Sequence, residues 1–372
     1  MSNPVPHTAR IPSPAQPLFI LAMDHRESFG KSLFAVQGTP NDTQLAAMRD
    51  AKSVIFEAIS RTSDRDLHGA HIGVLVDEQL GADIARKVRS AGFQLAMPVE
   101  VSGSDRLEFQ YGDDFGQHIE AFDPDWVKVL VRYNPSDPDE LKTDQTRTLR
   151  RLHDWVEAAR RHWMLELIVP PTRKQLAEHE DQAGYDKTIR PSLTAKSIRE
   201  LTDAGVRPSI WKLEGYETRD GATEVLETVK AVGGSSTTCI VLGRNAPIKQ
   251  VDHWLEVAAP LEGFSGFAIG RTIWEDPLTD FVAGRVGREE TETEILSRYQ
   301  HFVRIYIQSD AAPHRDPEHP RVEPYTIEHP RLTPDREAAI RLAVRGADPR
   351  GELPAWMAMT LLAEVDALRA EN

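Results

Sequence analysis

The sequence predicts an α/β fold closed into a (β/α)8 barrel, the TIM barrel, with a C-terminal helical extension. Three observations carry this. Eight short apolar runs alternate with stretches of helical periodicity, the rhythm of parallel strands joined by crossover helices. Together they span about 270 residues, close to the ~250 usual for that barrel. A doubly wound open sheet, the runner-up, would usually place a glycine-rich turn after its first strand, and Gly30 stands alone there.

Taken in order, residues 18–26 form a continuous apolar run ending in Asp24, His25 and Arg26, as expected of a strand buried on both faces with chemistry at its C-terminal end. Residues 43–61 follow with Leu45, Met48, Val54, Ile55 and Ile59 near helical spacing. A second strand is expected at 71–77, a helix at 80–91 and a third strand at 93–98. The fourth strand, 125–134, carries Lys128, and after a helix at 143–162 the fifth, 163–170, carries Glu166. A polar excursion, 171–190, precedes a helix at 194–204. The sixth strand, 208–215, carries Lys212; a helix at 221–232, a seventh strand at 238–243, a helix at 248–259 and an eighth strand at 264–271 complete the count. Residues 291–308 read as a last helix, 309–330 as a linker rich in Pro, His and Asp, and Thr333-Pro-Asp-Arg336 as a helix start. The expected division is a flexible leader (1–17), the barrel (18–308), and a linker with a helical tail (309–372).

The totals bound the function. The chain has 372 residues, 40% of them hydrophobic and 27% charged, enough for a large core. A net charge of -14 argues against nucleic acid or an anionic membrane as partner but leaves room for a basic pocket that takes a phosphorylated substrate. The single cysteine, Cys239, excludes an internal disulfide and sits in an apolar run as a core residue. No run reaches membrane-spanning length, and the Pro-rich start lacks the apolar core of a secretory signal, so the expected location is the cytoplasm.

The informative residues are ionisable ones inside buried strands. Alternation places Asp24 and Arg26 on the face of Ile20 and Ala22, Lys128 with Leu130 and Arg132, Glu166 with Met164 and Ile168, and Lys212 with Ile210 and Glu214. If those faces point inward, Asp24, Lys128, Glu166 and Lys212 converge. A buried ion-pair network without catalysis is the bland alternative, although such networks stabilise poorly for their desolvation cost. As chemistry the set is coherent. A neighbouring cation, Lys128, lowers the pKa of a lysine and poises Lys212 for attack on a ketone, while Glu166 and Asp24 are placed to move protons. The imine cation is then the electron sink, so no metal and no cofactor are expected. Gly270 and Arg271 after the eighth strand, and Gly243 and Arg244 after the seventh, match the usual phosphate position of this fold.

These residues carry a resemblance. Ala22-Met-Asp-His-Arg26, Val127-Lys-Val-Leu130, Leu165-Glu-Leu167, Trp211-Lys-Leu-Glu214 and Gly270-Arg-Thr-Ile-Trp274 resemble the class I aldolases of the tagatose-bisphosphate and sulfofructose-phosphate type. More closely, they look like the aldolase-like domain fused to sugar kinases of myo-inositol breakdown. The resemblance covers about residues 18–308. It implies Lys212 as Schiff-base lysine, Lys128 as second lysine, Glu166 as proton-transfer carboxylate, Asp24 as a contact to substrate hydroxyls and Arg271 as phosphate ligand. The implied reaction is retro-aldol cleavage of 2-deoxy-5-keto-gluconate 6-phosphate to dihydroxyacetone phosphate and malonate semialdehyde. A second cationic pole would meet the substrate carboxylate, from Arg26, Arg132, Arg173 or Arg244. Gly243-Arg244, His25 and Glu214 depart from the bisphosphate-type enzymes, which leaves another ketose phosphate open as substrate. The expected partner is a small sugar phosphate, and the expected assembly a homo-oligomer. A metal-dependent enzyme would need His-rich ligand clusters at strand ends, which the sequence does not offer. A non-catalytic sugar-phosphate-binding barrel is the other rival.

Overall fold

In the computed structural model the described residues are 11–62, 69–104, 106–179, 181–233 and 237–310. Eight parallel strands close in sequence order, β1 pairing with β8. They are β1 (Leu18–Ala22), β2 (His71–Leu75), β3 (Gln94–Pro98), β4 (Trp126–Arg132), β5 (His162–Ile168), β6 (Ile210–Glu214), β7 (Thr238–Leu242) and β8 (Phe264–Ile269). Around them lie α1 (Glu27–Phe34), α2 (Asp42–Ser60), α3 (Glu78–Val88), α4 (Phe115–Phe122), α5 (Asp139–Ala158), α6 (Arg173–Glu178), α7 (Gln182–Thr188), α8 (Arg190–Asp203), α9 (Arg219–Gly233), α10 (Ile248–Ala258), α11 (Arg271–Val282) and α12 (Arg288–Asp310). The helical tail expected after residue 310, and the leader before residue 11, lie outside the described residues.

Strand alternation divides the core in two. Leu18, Ile20, Leu75, Trp126, Met164, Ile210, Ile240 and Ala268 pack inside the barrel, while Phe19, Leu21, Val129, Leu165, Trp211 and Val241 face the helices. The interior floor is therefore an apolar plug, with the Trp126 indole N–H donating to Gln94 Oε1 at 2.7 Å. Lys128, Glu166 and Lys212 each follow an inner-core residue by two positions, so the same alternation carries them inward, toward the C-terminal mouth.

Strand β8 departs from simple alternation. Its pairing with β7 shifts between Cys239/Phe264 and Val241/Phe267, an extra residue that keeps both phenylalanines on the outer face. Gly266 takes φ +125° at this bulge, where a Cβ would lie 2.0 Å from Leu18 O, so only glycine fits. The Tyr306 hydroxyl of α12 clamps the bulge, donating to Phe264 O at 2.8 Å and accepting from Gly266 N–H at 2.9 Å.

Candidate active site

The C-terminal ends of the strands enclose a cavity of about 550 Å³. Asp24 (after β1), Lys128 (β4), Glu166 (β5) and Lys212 (β6) all line it, the convergence that alternation predicts. Lys128 is 2% exposed and Lys212 4%. Lys128 Nζ lies 3.0 Å from Asp24 Oδ2, 2.7 Å from Glu100 Oε1 and 2.8 Å from Glu166 Oε2. Lys212 Nζ lies 2.9 Å from the same Glu166 oxygen. Glu166 thus bridges the two lysines, and the register agrees, pairing it with Leu130 on one side and Lys212 on the other.

The electrostatics follow from these contacts. Burial alone would lower the Lys128 pKa, but Asp24, Glu100 and Glu166 together raise it well above the ordinary lysine value. Burial would raise Asp24 and Glu166; Lys128 and Lys212 overcome this and hold both carboxyls low. Lys128 is accordingly a locked cation, and the two carboxylates are ionised proton acceptors.

Glu100 is the site residue that sequence reasoning missed. It lies beyond the run that ends at Pro98, yet it continues the inward set of Gln94, Ala96 and Pro98, and that parity is the signal that would have found it. Arg26 secures it, donating from Nη2 to Glu100 O at 2.7 Å and from Nη1 to Gln110 Oε1 at 3.1 Å. A second unforeseen pair lies behind β1. Lys52 of α2 is fully buried, paired with Asp77 and donating to Met23 O at 2.6 Å, which fixes the backbone next to Asp24.

On the far wall, Arg271 is the first residue of α11, with Gly270 at the cap position. A Cβ on Gly270 would lie 2.4 Å from Ala22 O, so glycine is what lets the β8 and β1 ends approach. The Arg271 side chain lines the cavity without a hydrogen bond or ion pair to any other described residue, at a helix N-terminus, where the helix dipole suits an anion. Burial lowers its pKa. His25 also lines this wall, and burial pushes it down to about 3, so it is neutral at physiological pH.

Gly243 and Arg244 line the cavity too, but the Arg244 guanidinium is held by protein carboxylates: Nη2 lies 2.5 Å from Asp186 Oδ2 and Nη1 3.0 Å from Glu214 Oε1. Asp186 sits on α7 and also accepts from Arg190 at 2.9 Å, so this network ties the 171–190 excursion to the ends of β6 and β7. Arg132 lines the cavity from its exposed rim; Arg173, also exposed, does not line it. Tyr185 is buried away from the cavity, donating to Val169 O at 2.9 Å. Cys239 is buried in the outer core, and burial pushes its thiol pKa up. Among the described residues no group of three or more His, Cys, Asp or Glu is arranged to hold a metal ion, and the three carboxylates that do cluster surround the Lys128 ammonium.

A family model described as an uncharacterized protein conserved in bacteria, DUF2090, matches residues 6–310. The chain belongs to this family. No curated protein matches this DUF2090 chain. Among solved structures, fructose-bisphosphate aldolase from Plasmodium falciparum, in complex with TRAP and a small-molecule inhibitor, is similar with a TM-score of 0.55 and 11% identity, over 77% of this chain and 90% of that one. Cgl0159 from Corynebacterium glutamicum gives a TM-score of 0.49 and 16% identity, over 77% of this chain and 85% of that one. At such identity the aldolase likeness speaks for the barrel fold alone. No helix among the described residues is long and apolar enough to cross a membrane.

Proposed function

We propose that the chain is a class I aldolase, a carbon–carbon lyase that cleaves a phosphorylated keto sugar acid through an imine on Lys212. The observation that carries this reading is the shared Glu166 oxygen, 2.9 Å from Lys212 Nζ and 2.8 Å from Lys128 Nζ, in a cavity whose far wall presents Arg271, unpaired among the described residues, at a helix N-terminus.

On this reading each chemical step falls to a named residue. Lys212 passes a proton to Glu166 and its Nζ adds to the keto carbon. Glu166 returns a proton, the carbinolamine oxygen leaves as water, and a protonated imine forms. A carboxylate, Asp24 or Glu166, then takes the proton from the hydroxyl two carbons from the imine carbon. The bond between the intervening carbon and the hydroxyl-bearing carbon breaks, its electron pair flowing into the imine to give an enamine, and the aldehyde fragment departs. Protonation of the enamine carbon and addition of water release the ketone phosphate and free Lys212. Lys128 stays charged throughout and keeps Asp24, Glu100 and Glu166 oriented. Arg271 and the first turn of α11 would hold the phosphate.

The favoured substrate is 2-deoxy-5-keto-gluconate 6-phosphate, giving dihydroxyacetone phosphate and malonate semialdehyde. Release of dihydroxyacetone phosphate, read by coupling to an NADH-dependent glycerol-phosphate dehydrogenase, tests this against tagatose 1,6-bisphosphate and sulfofructose 1-phosphate. Faster turnover of the keto sugar acid is expected. Turnover of only another ketose phosphate would keep the reaction and change the substrate, and none with any of the three would contradict the proposal.

A further inference from the structure

Among the described residues eight lysine and arginine side chains line the cavity, and their pairing is uneven. Lys128 and Lys212 hold the carboxylates described above. Arg26 lies 4.0 Å from Glu100, Lys31 2.5 Å from Glu27, Arg106 3.8 Å from Asp144, and Arg244 is clamped by Asp186 and Glu214. Two remain, Arg271 and Arg132, with no carboxylate within 4.0 Å among the described residues. The four carboxylates that line the cavity are themselves each within 3.0 Å of a lysine. In a chain of net charge -14, the two uncompensated cations stand out.

Their placement is as informative as their number. Arg271 follows β8 and Arg132 ends β4, four strands apart in a closed ring of eight, hence on opposite walls. Arg132 shares the inward face of Lys128 and Leu130 and stands about 13 Å further up the strand than Lys128, at ~3.3 Å per residue. Among the described residues its side chain makes one hydrogen bond, to a backbone oxygen, Nη1 donating to Ser104 O at 3.4 Å, which turns it toward the Ser102-Gly103-Ser104 turn that also lines the cavity. Lys212 and Glu166 lie on β6 and β5, between the two poles around the ring.

We infer that Arg132 is a specificity-determining contact for a second anionic group, so that the site takes substrates carrying an anion at both ends: phosphate at Arg271, and a carboxylate or second phosphate at Arg132. The ketose and the phosphate at Arg271 rest on the proposed aldolase reading; the second anionic end rests on the unpaired Arg132 on the opposite wall of the cavity.

Probes without a carbonyl keep the two questions apart, because they bind without forming an imine. Calorimetric titration of the full chain compares gluconate 6-phosphate and glucitol 1,6-bisphosphate, each anionic at both ends, with glucitol 6-phosphate, anionic at one. The wild-type chain should bind at least one doubly charged probe about 10- to 100-fold more tightly than the singly charged one. Preference for gluconate 6-phosphate identifies a carboxylate at the Arg132 pole, and preference for the bisphosphate a phosphate. Arg132→Gln should bring the ratio to within about threefold of one, and Arg132→Lys should restore part of it. Arg106→Gln, which removes a cation already paired, should keep the wild-type ratio. Arg271→Gln should weaken all three probes. A wild-type ratio near one, or a ratio that survives Arg132→Gln, overturns the inference whether or not Lys212 forms an imine.

Discussion

Lys128 is the residue on which the site's electrostatics turn. Three buried carboxylates point at one ammonium, and removing it would leave them mutually repelling in a desolvated space. Lys128→Met should cost about 3–5 kcal/mol, the usual penalty for breaking a buried ion pair, read as a lower urea midpoint. Glu166→Gln takes from Lys212 the one carboxylate paired with it among the described residues, so it should lower the urea midpoint on the same ground and slow turnover by about 10²- to 10⁴-fold through loss of its proton-transfer role. Much of this was legible at the level of single residues. Strict two-residue alternation carries Asp24, at the end of β1, and Lys128, Glu166 and Lys212, on β4, β5 and β6, inward. Glu100 escaped because Pro98 reads as a stop. The hold of Arg26 on the Glu100 backbone carbonyl and carboxylate, and of Arg244 on Asp186 and Glu214, was not legible either, since the partners of Arg244 come from α7 and the end of β6, which only the closed barrel brings together.

At the scale of elements, all eight strands lie where apolar runs predict them, because a strand buried on both faces leaves an unmistakable hydrophobic block. Short helices were harder. α11 contains Pro277, which reads as a breaker, yet it runs on to Val282. α6 lies inside what the sequence presents as a polar excursion, although Thr172 and Gln175 form a capping box at its start, a signal present in the sequence. The bulge of β8 hides because its cause is a backbone approach rather than a side-chain pattern. Gly266→Ala tests it. The substitution meets both a φ reserved for glycine and the Leu18 carbonyl, so a loss of about 3 kcal/mol or more is expected, with a Tm drop to match. Wild-type stability of that variant would contradict the bulge geometry.

For the whole molecule, acid should be the weak side. Asp24 and Glu166 titrate below the ordinary carboxylate range in the folded chain. Below about pH 4 the unfolded chain therefore binds protons that the folded one refuses, and stability falls as pH falls. Lys128, raised in the folded chain, acts at the other extreme: its contribution is complete below about pH 10.4 and is lost as pH rises through the folded value. His25, held down to about 3, starts the acid loss earlier, because its unfolded counterpart protonates from about pH 6.5. Urea midpoints between pH 7 and 4 should decline less steeply for His25→Asn than for wild type. Equal slopes would mean that His25 takes up its proton in the folded chain.

The central claim is an imine at Lys212, and borohydride reduction in the presence of dihydroxyacetone phosphate, followed by peptide mass mapping, tests it most directly. The account predicts a reduced adduct on Lys212 in the wild-type chain, absent in Lys212→Met, together with a fall in turnover of that variant by on the order of 10⁴-fold or more. An adduct on Lys128 would exchange the roles of the two lysines. No adduct on either lysine, in a chain that still releases dihydroxyacetone phosphate, would contradict the account.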